Sequence, residues 1–468
     1  MACCGKKSEK HGLLLFLNSG AGLAMALAVE AARRLPGPLR GLVDTGRTQE
    51  ACPVGCAAVP GLNVARIRKD FPCLDRTVRG KPVAYFDNAC MTLKPEAVLL
   101  AEAAYYRNGP GCHGRSDHEF GRVTTEVYDG ARVAMRDFLG AMHSEEVLFV
   151  RNATEAINTV AFGLGLGSGD VVVTSGLEHN SNLVPWQVLR ERHGVKHEVL
   201  RVEEDTTLDV ARLEKRLRSG RVRLVSVLHT SNLSGVTFPV SDIVDVAHRH
   251  GALVLVDAAQ ASLTHRLEVA RLGADFVALS VHKMLGPTGM GVLYARRDAL
   301  EKLQPWLYGG EAVLDTTYRS RRMAHAPDRF EAGLQDYAGA AGSAAAAAYV
   351  LELGQDRIRE HVVALNARLT DGLTELSGVR ILGPREAERR SGICNFVMDG
   401  TDSYELARRL NQRAGIMVRA GRHCVHSWYH ATGTPDSVRV SFGPYNTRDE
   451  VDSLLGQLRP GLRTQRRF

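Results

Sequence analysis

Residues 253–291 read LVLVDAAQ, then the amphipathic stretch 261–274, then DFVALSVHKMLGPTGMG. Two apolar β-type runs each lead to a chemically loaded residue: Asp257 closes the first and Lys283 follows the second. A lysine that serves as a covalent nucleophile needs a rigid perch and a desolvated pocket, because burial lowers its pKa and frees the amine. A carboxylate buried beside a heteroaromatic nitrogen keeps that nitrogen protonated. Such an Asp and Lys can hold the two reactive ends of a pyridoxal phosphate ring. Taken alone, Asp257 reads as a helix cap and Lys283 as a solvated loop residue. Taken together, with the glycines and proline after Lys283, they favour the cofactor.

Outward from this stretch, EEVLFV (145–150), DVVVTS (170–175), RLVSVLH (223–229), ALVLVD (252–257) and DFVALS (275–280) are β-rich runs, with helical apolar spacing between them, as in VSDIVDVAHRHG (240–251). Strands alternating with helices imply crossover units and a parallel sheet, so the fold class is α/β. A chain of 468 residues exceeds what one compact core usually holds. The organisation expected is an N-terminal extension over 1–62, a large domain over 63–335, and a smaller α+β domain over 336–468. The last opens on the alanine-rich packing helix AGAAGSAAAAAYVLELG (338–354) and continues with the short strands VRILGP, GICNFVMD, GIMVRAG and SVRVSFG.

Net charge is +7, but acids and bases interleave and the basic excess is partly terminal, which argues for solubility and against nucleic acid as a partner. Nine cysteines without repeating spacing argue against a disulfide framework and for a reducing compartment, with a cytoplasmic location expected. Residues 1–62 begin basic and then carry LLLFLNSGAGLAMALAV, a marginal apolar run that leaves a presequence, a membrane anchor or a loosely packed extension open. Cys52 and Cys56 form a CxxxC without a second Cys or His pair, so no metal site is expected.

Ligands of open α/β sheets gather at the carboxyl ends of the strands. RNATEAIN (151–158) follows a strand and opens a helix, so the backbone N–H groups from Ala153 and the Thr154 hydroxyl suit a phosphate; ordinary helix capping uses the same geometry. His179 lies at a strand exit, where an imidazole can stack on an aromatic ring. Asn232 and Gln260 offer neutral hydrogen bonds to a phenolic oxygen. Ser280 and His282 flank the lysine and suit the phosphate shell.

In order along the chain, AYFDNACMTLKP, RNATEAIN, EHNSNLVPWQ, HTSNLSG, VDAAQ, SVHKMLGPTGMG, RFEAG, VRAGRHC and VRVSFGPYNT resemble the motifs of class V aminotransferase-type pyridoxal phosphate enzymes, nearest to SUF-type (group II) cysteine desulfurases and selenocysteine lyases, from about Asn63 to Leu458. The resemblance implies fold type I, with a mostly parallel seven-stranded sheet in the large domain. It makes Lys283 the Schiff-base lysine, Asp257 the partner of the pyridine nitrogen, His179 the ring-stacking and proton-handling imidazole, and Arg439 the anchor of the substrate carboxylate. Arg419 and Arg115 join the substrate-binding set, Arg115 through CHGRSDHEFG (112–121). Cys424 becomes the persulfide-forming nucleophile. The residues agree: the thiolate is the reactive form, cationic neighbours favour it, and Arg419, Arg422, His423 and His426 surround Cys424 in sequence. Arg439 offers a planar fork that grips a carboxylate with two hydrogen bonds.

The implied reaction converts L-cysteine to L-alanine, with sulfur carried as a Cys424 persulfide to an acceptor protein, in a homodimer. Selenocysteine lysis, aminotransfer or another carbon–sulfur lyase step on the same scaffold is the alternative, and a non-catalytic scaffold protein a third reading. Three departures bear on pocket shape. Leu334 stands where many SUF-type enzymes carry a threonine for the phosphate of the opposite subunit, DNACMT replaces a small-residue stretch, and EHNSN retains only His179 of a histidine pair. Gln335 or Tyr337 is expected to take over part of the missing threonine contact.

Overall fold

The computed structural model describes residues 61–218 and 220–459. The N-terminal extension and the Cys52/Cys56 pair lie outside the described residues. Among the described residues no helix is long and apolar enough to cross a membrane.

Seven strands build the central sheet: β1 (Val147–Val150), β2 (Val171–Ser175), β3 (Lys196–Leu200), β4 (Val222–Leu228), β5 (Leu253–Asp257), β6 (Phe276–Ser280) and β7 (Gly291–Ala295), in the order β1-β7-β6-β5-β4-β2-β3. Only β7 runs against its neighbours; the pairs from β6 to β3 are parallel. The seven-stranded, mostly parallel α/β sheet expected from the sequence is therefore present. Its central strands are apolar on both faces, as helices on each side require: every residue of β2, β6 and β7 is buried. The chain runs outward from β2 to β3 and returns to β4 on the other side of β2. This reversal opens a crevice at the carboxyl ends of the parallel strands.

Two helices that follow the N-terminal segment, α1 (Glu96–Asn108) and α2 (Glu119–Leu139), pack against the alanine-rich α4 (Tyr337–Leu353), while α3 (Ala153–Gly163) leaves the end of β1. The small side chains of α4 let its neighbours approach closely, so the alanine run is a packing face, and its residues 338–341 are buried. Beyond it, α5 (Gln355–Thr374) and α6 (Arg448–Leu458) pack together beside an antiparallel sheet of β8 (Val379–Ile381), β9 (Ile393–Met398), β10 (Arg419–Gly421) and β11 (Ser437–Ser441), ordered β8-β9-β11-β10. The segment after residue 83 reaches across to this C-terminal part: Ala84–Tyr85 pairs in parallel with Ile416–Met417, and Asp87 bridges Ser441.

Glu331, of the RFEAG motif, fastens α2 to the sheet edge. Its carboxylate takes both ends of the Arg132 fork at 2.7 and 2.8 Å, the Tyr128 hydroxyl at 2.7 Å and the Phe149 N–H of β1 at 2.7 Å. Arg132 and Glu331 are both buried, so removing one partner strands a charge. Glu331→Ala is expected to cost about 3–5 kcal/mol, read as a lowered midpoint in denaturant unfolding.

Candidate active site

A cavity of about 220 Å³ opens at the carboxyl ends of the parallel strands. Each strand delivers its residues through a short, well-anchored turn. Asp257 ends β5, is buried, and accepts the Ala259 N–H at 3.0 Å. Lys283 follows the neighbouring strand β6 on a single 3-10 turn, Val281–Lys283. Solvent reaches Lys283 only partly, and no hydrogen bond or ion pair engages its amine among the described residues. Burial lowers its pKa, opposed chiefly by Asp257. For Asp257 burial raises the pKa, opposed by Lys283 and the Ala259 N–H. A carboxyl with a raised pKa beside a lysine with a lowered one suits a ring with a basic nitrogen at one end and an aldehyde at the other.

The turn carrying Lys283 is clamped from far away in sequence. Thr92 donates its hydroxyl to the His282 carbonyl at 3.0 Å and accepts the Leu285 N–H at 2.9 Å. Lys94 Nζ donates to the same carbonyl at 3.1 Å. Leu285 sits at φ +71°, a left-handed conformation unusual for leucine that this clamp holds in place.

His179 follows β2 and caps the short turn Asn180–Asn182, its Nδ1 accepting the Ser181 N–H at 3.0 Å. With Nδ1 used as acceptor, the neutral ring carries its proton on Nε2. Burial pulls the His179 pKa down to about 3, with Lys283 and Arg439 adding to the effect, so the ring is neutral at ordinary pH. Beneath it Glu178 accepts from Ser175 Oγ at 2.5 Å, Asn182 Nδ2 at 2.7 Å and the Leu228 N–H at 3.1 Å. Burial outweighs these donors and pushes Glu178 up to about 8.

At the start of α3 the hydroxyls of Thr154 and Ser181 meet at 2.7 Å, and Ser280 Oγ accepts the Ala153 N–H at 2.9 Å. These groups and the positive helix end form a corner for a phosphate. Backbone must approach closely here: a Cβ on Gly291 would lie 2.5 Å from the Asn152 Cα. His282 lines the cavity, as does Gln260, whose amide donates to the Ala89 carbonyl at 2.7 Å.

The second half of the site comes from the C-terminal sheet. Arg439 of β11 is buried; it donates from Nη1 to the Asn232 carbonyl at 3.0 Å and from Nη2 to Asp87 at 3.2 Å. Arg419 of β10 donates to Cys90 Sγ at 3.0 Å. Cys424 follows on a loop in which His423 and Cys424 both have positive φ, +50° and +61°. Non-glycine residues hold such angles only where the surroundings fix them. Asn180 N–H donates to the Cys424 carbonyl at 2.8 Å, and Asn232 Nδ2 to the His423 carbonyl at 2.7 Å. Asn180, which occupies the place of the second histidine in EHNSN, is thus a dock for the cysteine loop.

All the residues expected at the site line this one cavity except Arg115. Arg115 is half-exposed, is not among the lining residues, and pairs with Glu311 at 3.1 Å. Within this chain Gln335 and Tyr337 both have partners of their own. The Gln335 amide closes its own turn on the Glu331 and Gly333 carbonyls at 2.8 and 3.0 Å, and Tyr337 is buried beside Tyr105 and Tyr128. Sequence reasoning missed Glu178, Thr92 and Lys94, although all three stand inside quoted motifs, EHNSNLVPWQ and AYFDNACMTLKP.

A family model described as Aminotransferase class-V matches residues 84–454. A protein named probable cysteine desulfurase from Mycolicibacterium paratuberculosis is 39% identical over 400 residues, which span 85% of this chain and 58% of that longer one. Another of the same name, from Halalkalibacterium halodurans, is 38% identical over 399 residues, spanning 84% of this chain and 96% of its own. An apo structure of a cysteine desulfurase from Thermococcus onnurineus NA1 superposes with TM-score 0.81 at 35% identity, covering 86% of this chain and 98% of that one.

Because burial raises the Glu178 pKa, the stability it contributes is full below its ordinary value of 4.5 and is lost as pH rises through about 8. Glu178→Gln should therefore flatten the fall in melting temperature across that window, as differential scanning fluorimetry at stepped pH would show.

Proposed function

The chain belongs to the class-V aminotransferase family, and from that premise we propose that it is a pyridoxal phosphate-dependent cysteine desulfurase, converting L-cysteine to L-alanine and passing the sulfur to an acceptor. The observation that carries this reading is one cavity lined by Lys283, Asp257 and Cys424 together. Relatives at 38–39% identity bearing the desulfurase name support it.

Bound pyridoxal phosphate supplies an electron sink for the electron pair left at the substrate Cα. The chain does the rest. Lys283 would hold the cofactor through its amine and, when released, would take the Cα proton. Asp257 shares a proton with the ring nitrogen. His179, neutral with the proton on Nε2, would stack against the ring. Arg439, with Arg419 beside it, receives the substrate carboxylate. Cys424 attacks the substrate sulfur and keeps it as a persulfide, and its fixed loop holds the sulfur at the pocket wall.

Homodimerisation belongs to the same proposal. Trp306, Leu307 and Tyr308 are 40%, 45% and 52% exposed, Leu334 is 72% exposed, and the Gly333 N–H to Gly310 carbonyl bond at 2.7 Å draws these stretches together. Large apolar side chains gathered at a surface suit a protein interface. Iron–sulfur cluster assembly is the sulfur-requiring process proposed as the destination.

Incubation with L-cysteine and a reductant should release alanine and sulfide, and Cys424→Ser should lower the rate by at least about 100-fold. Persistent activity in that variant would favour another lyase or transaminase reaction on this scaffold. Lys283→Ala should abolish the visible absorbance of the lysine-bound cofactor; a colourless wild-type protein after cofactor addition would sink the proposal.

A further inference from the structure

Cys90 has no part in the chemistry above, yet it lines the same cavity as Lys283 and Cys424. Its Sγ accepts the Arg419 Nη1 donor at 3.0 Å, so a positive charge is presented to it directly. The thiolate is the attacking form in sulfur exchange. The loop around Cys90 is fixed: its N–H donates to the Asp87 carbonyl at 3.1 Å, the preceding Ala89 carbonyl is held by Gln260, and Asn88 donates to the Ser441 carbonyl at 2.7 Å. Two buried groups on the same cavity lack partners among the described residues, His423 Nδ1 and Arg439 Nε, on side chains 4% and 2% exposed. The Cys424 loop is bolted through its carbonyls to Asn180 and Asn232, and Cys90 and Cys424 line the same cavity.

We infer that Cys90 is a second sulfur-receiving residue, which takes the outer sulfur of the Cys424 persulfide within the pocket. Its thiolate attacks that sulfur. The bond between Cys424 Sγ and the outer sulfur breaks with its electron pair left on Cys424 Sγ, a bond to Cys90 Sγ forms, and the proton stays on the transferred sulfur. One thiolate and one persulfide enter and one of each leaves, so no oxidant or reductant is consumed. Cys424 is thereby restored for another substrate while Cys90 stores the first sulfur beside Arg419. This relay rests on the desulfurase reading.

The test is a rapid-quench burst on the reductant-free holoenzyme, given a small excess of L-cysteine under anaerobic conditions. Alanine is counted per site, and added sulfur is mapped by alkylation and peptide mass spectrometry. About two alanine equivalents per site are expected, with sulfur on both Cys90 and Cys424. Cys90→Ser should give about one equivalent, with sulfur confined to Cys424. About one equivalent from the wild-type chain with Cys90 unmodified overturns the relay. So does sulfur on Cys90 in Cys424→Ala, which would mean direct capture from substrate. Neither alanine nor added sulfur on any cysteine overturns the desulfurase reading itself, so the two failures are distinguishable.

Discussion

An ammonium ion on Lys283 would sit enclosed without a hydrogen-bond acceptor, and the nearest charge that could steady it, Asp257, is itself pushed towards its neutral form by burial. Each group favours the charged form of the other, but burial opposes both charges and is the larger influence on each, so the pair is poor glue for a fold. They are held together because adjacent parallel strands leave no choice. The register that aligns Asp257 with Ala278 sets the end of β5 a few residues before the Lys283 turn. The stability of the sheet thus maintains an arrangement that burial alone would disfavour, and it keeps the Lys283 pKa below its ordinary value.

Around that pair the rest of the site depends on long-range fastening. Thr92 and Lys94 lock the lysine turn from the N-terminal segment. The same segment supplies Asp87, which pairs with Arg439 and bridges Ser441 of the C-terminal sheet. One stretch of about a dozen residues therefore ties the lysine to the arginines of the C-terminal sheet.

How much of this was legible in the sequence follows from physical range. Asp257 and Lys283 could be read because both follow apolar runs whose period and length mark strands, and because the ends of parallel strands share one edge. Arginines and histidines flanking Cys424 could be read because they are neighbours in the chain. Contacts spanning the fold could not: the Thr92 hydroxyl meets a carbonyl 190 residues away, and Asn88 one 353 residues away. Glu178 passed as an ordinary acid because, although Ser175 and Asn182 lie within four residues of it, the Leu228 N–H that completes its shell is 50 residues away. The Gln335 amide closes its own turn on the Glu331 and Gly333 carbonyls, an arrangement that only the folded backbone displays.

The backbone anchoring of the cysteine loop has a consequence for traffic. Because Asn180 and Asn232 grip main-chain carbonyls, changes in the loop's side chains cannot easily loosen it, and the sulfur atom has no swinging arm to ride. On the proposed desulfurase reading, a recipient would bring its own thiol to the cavity. Delivery is then governed by the recipient's fit there, so free sulfide need not escape into solution between donor and customer.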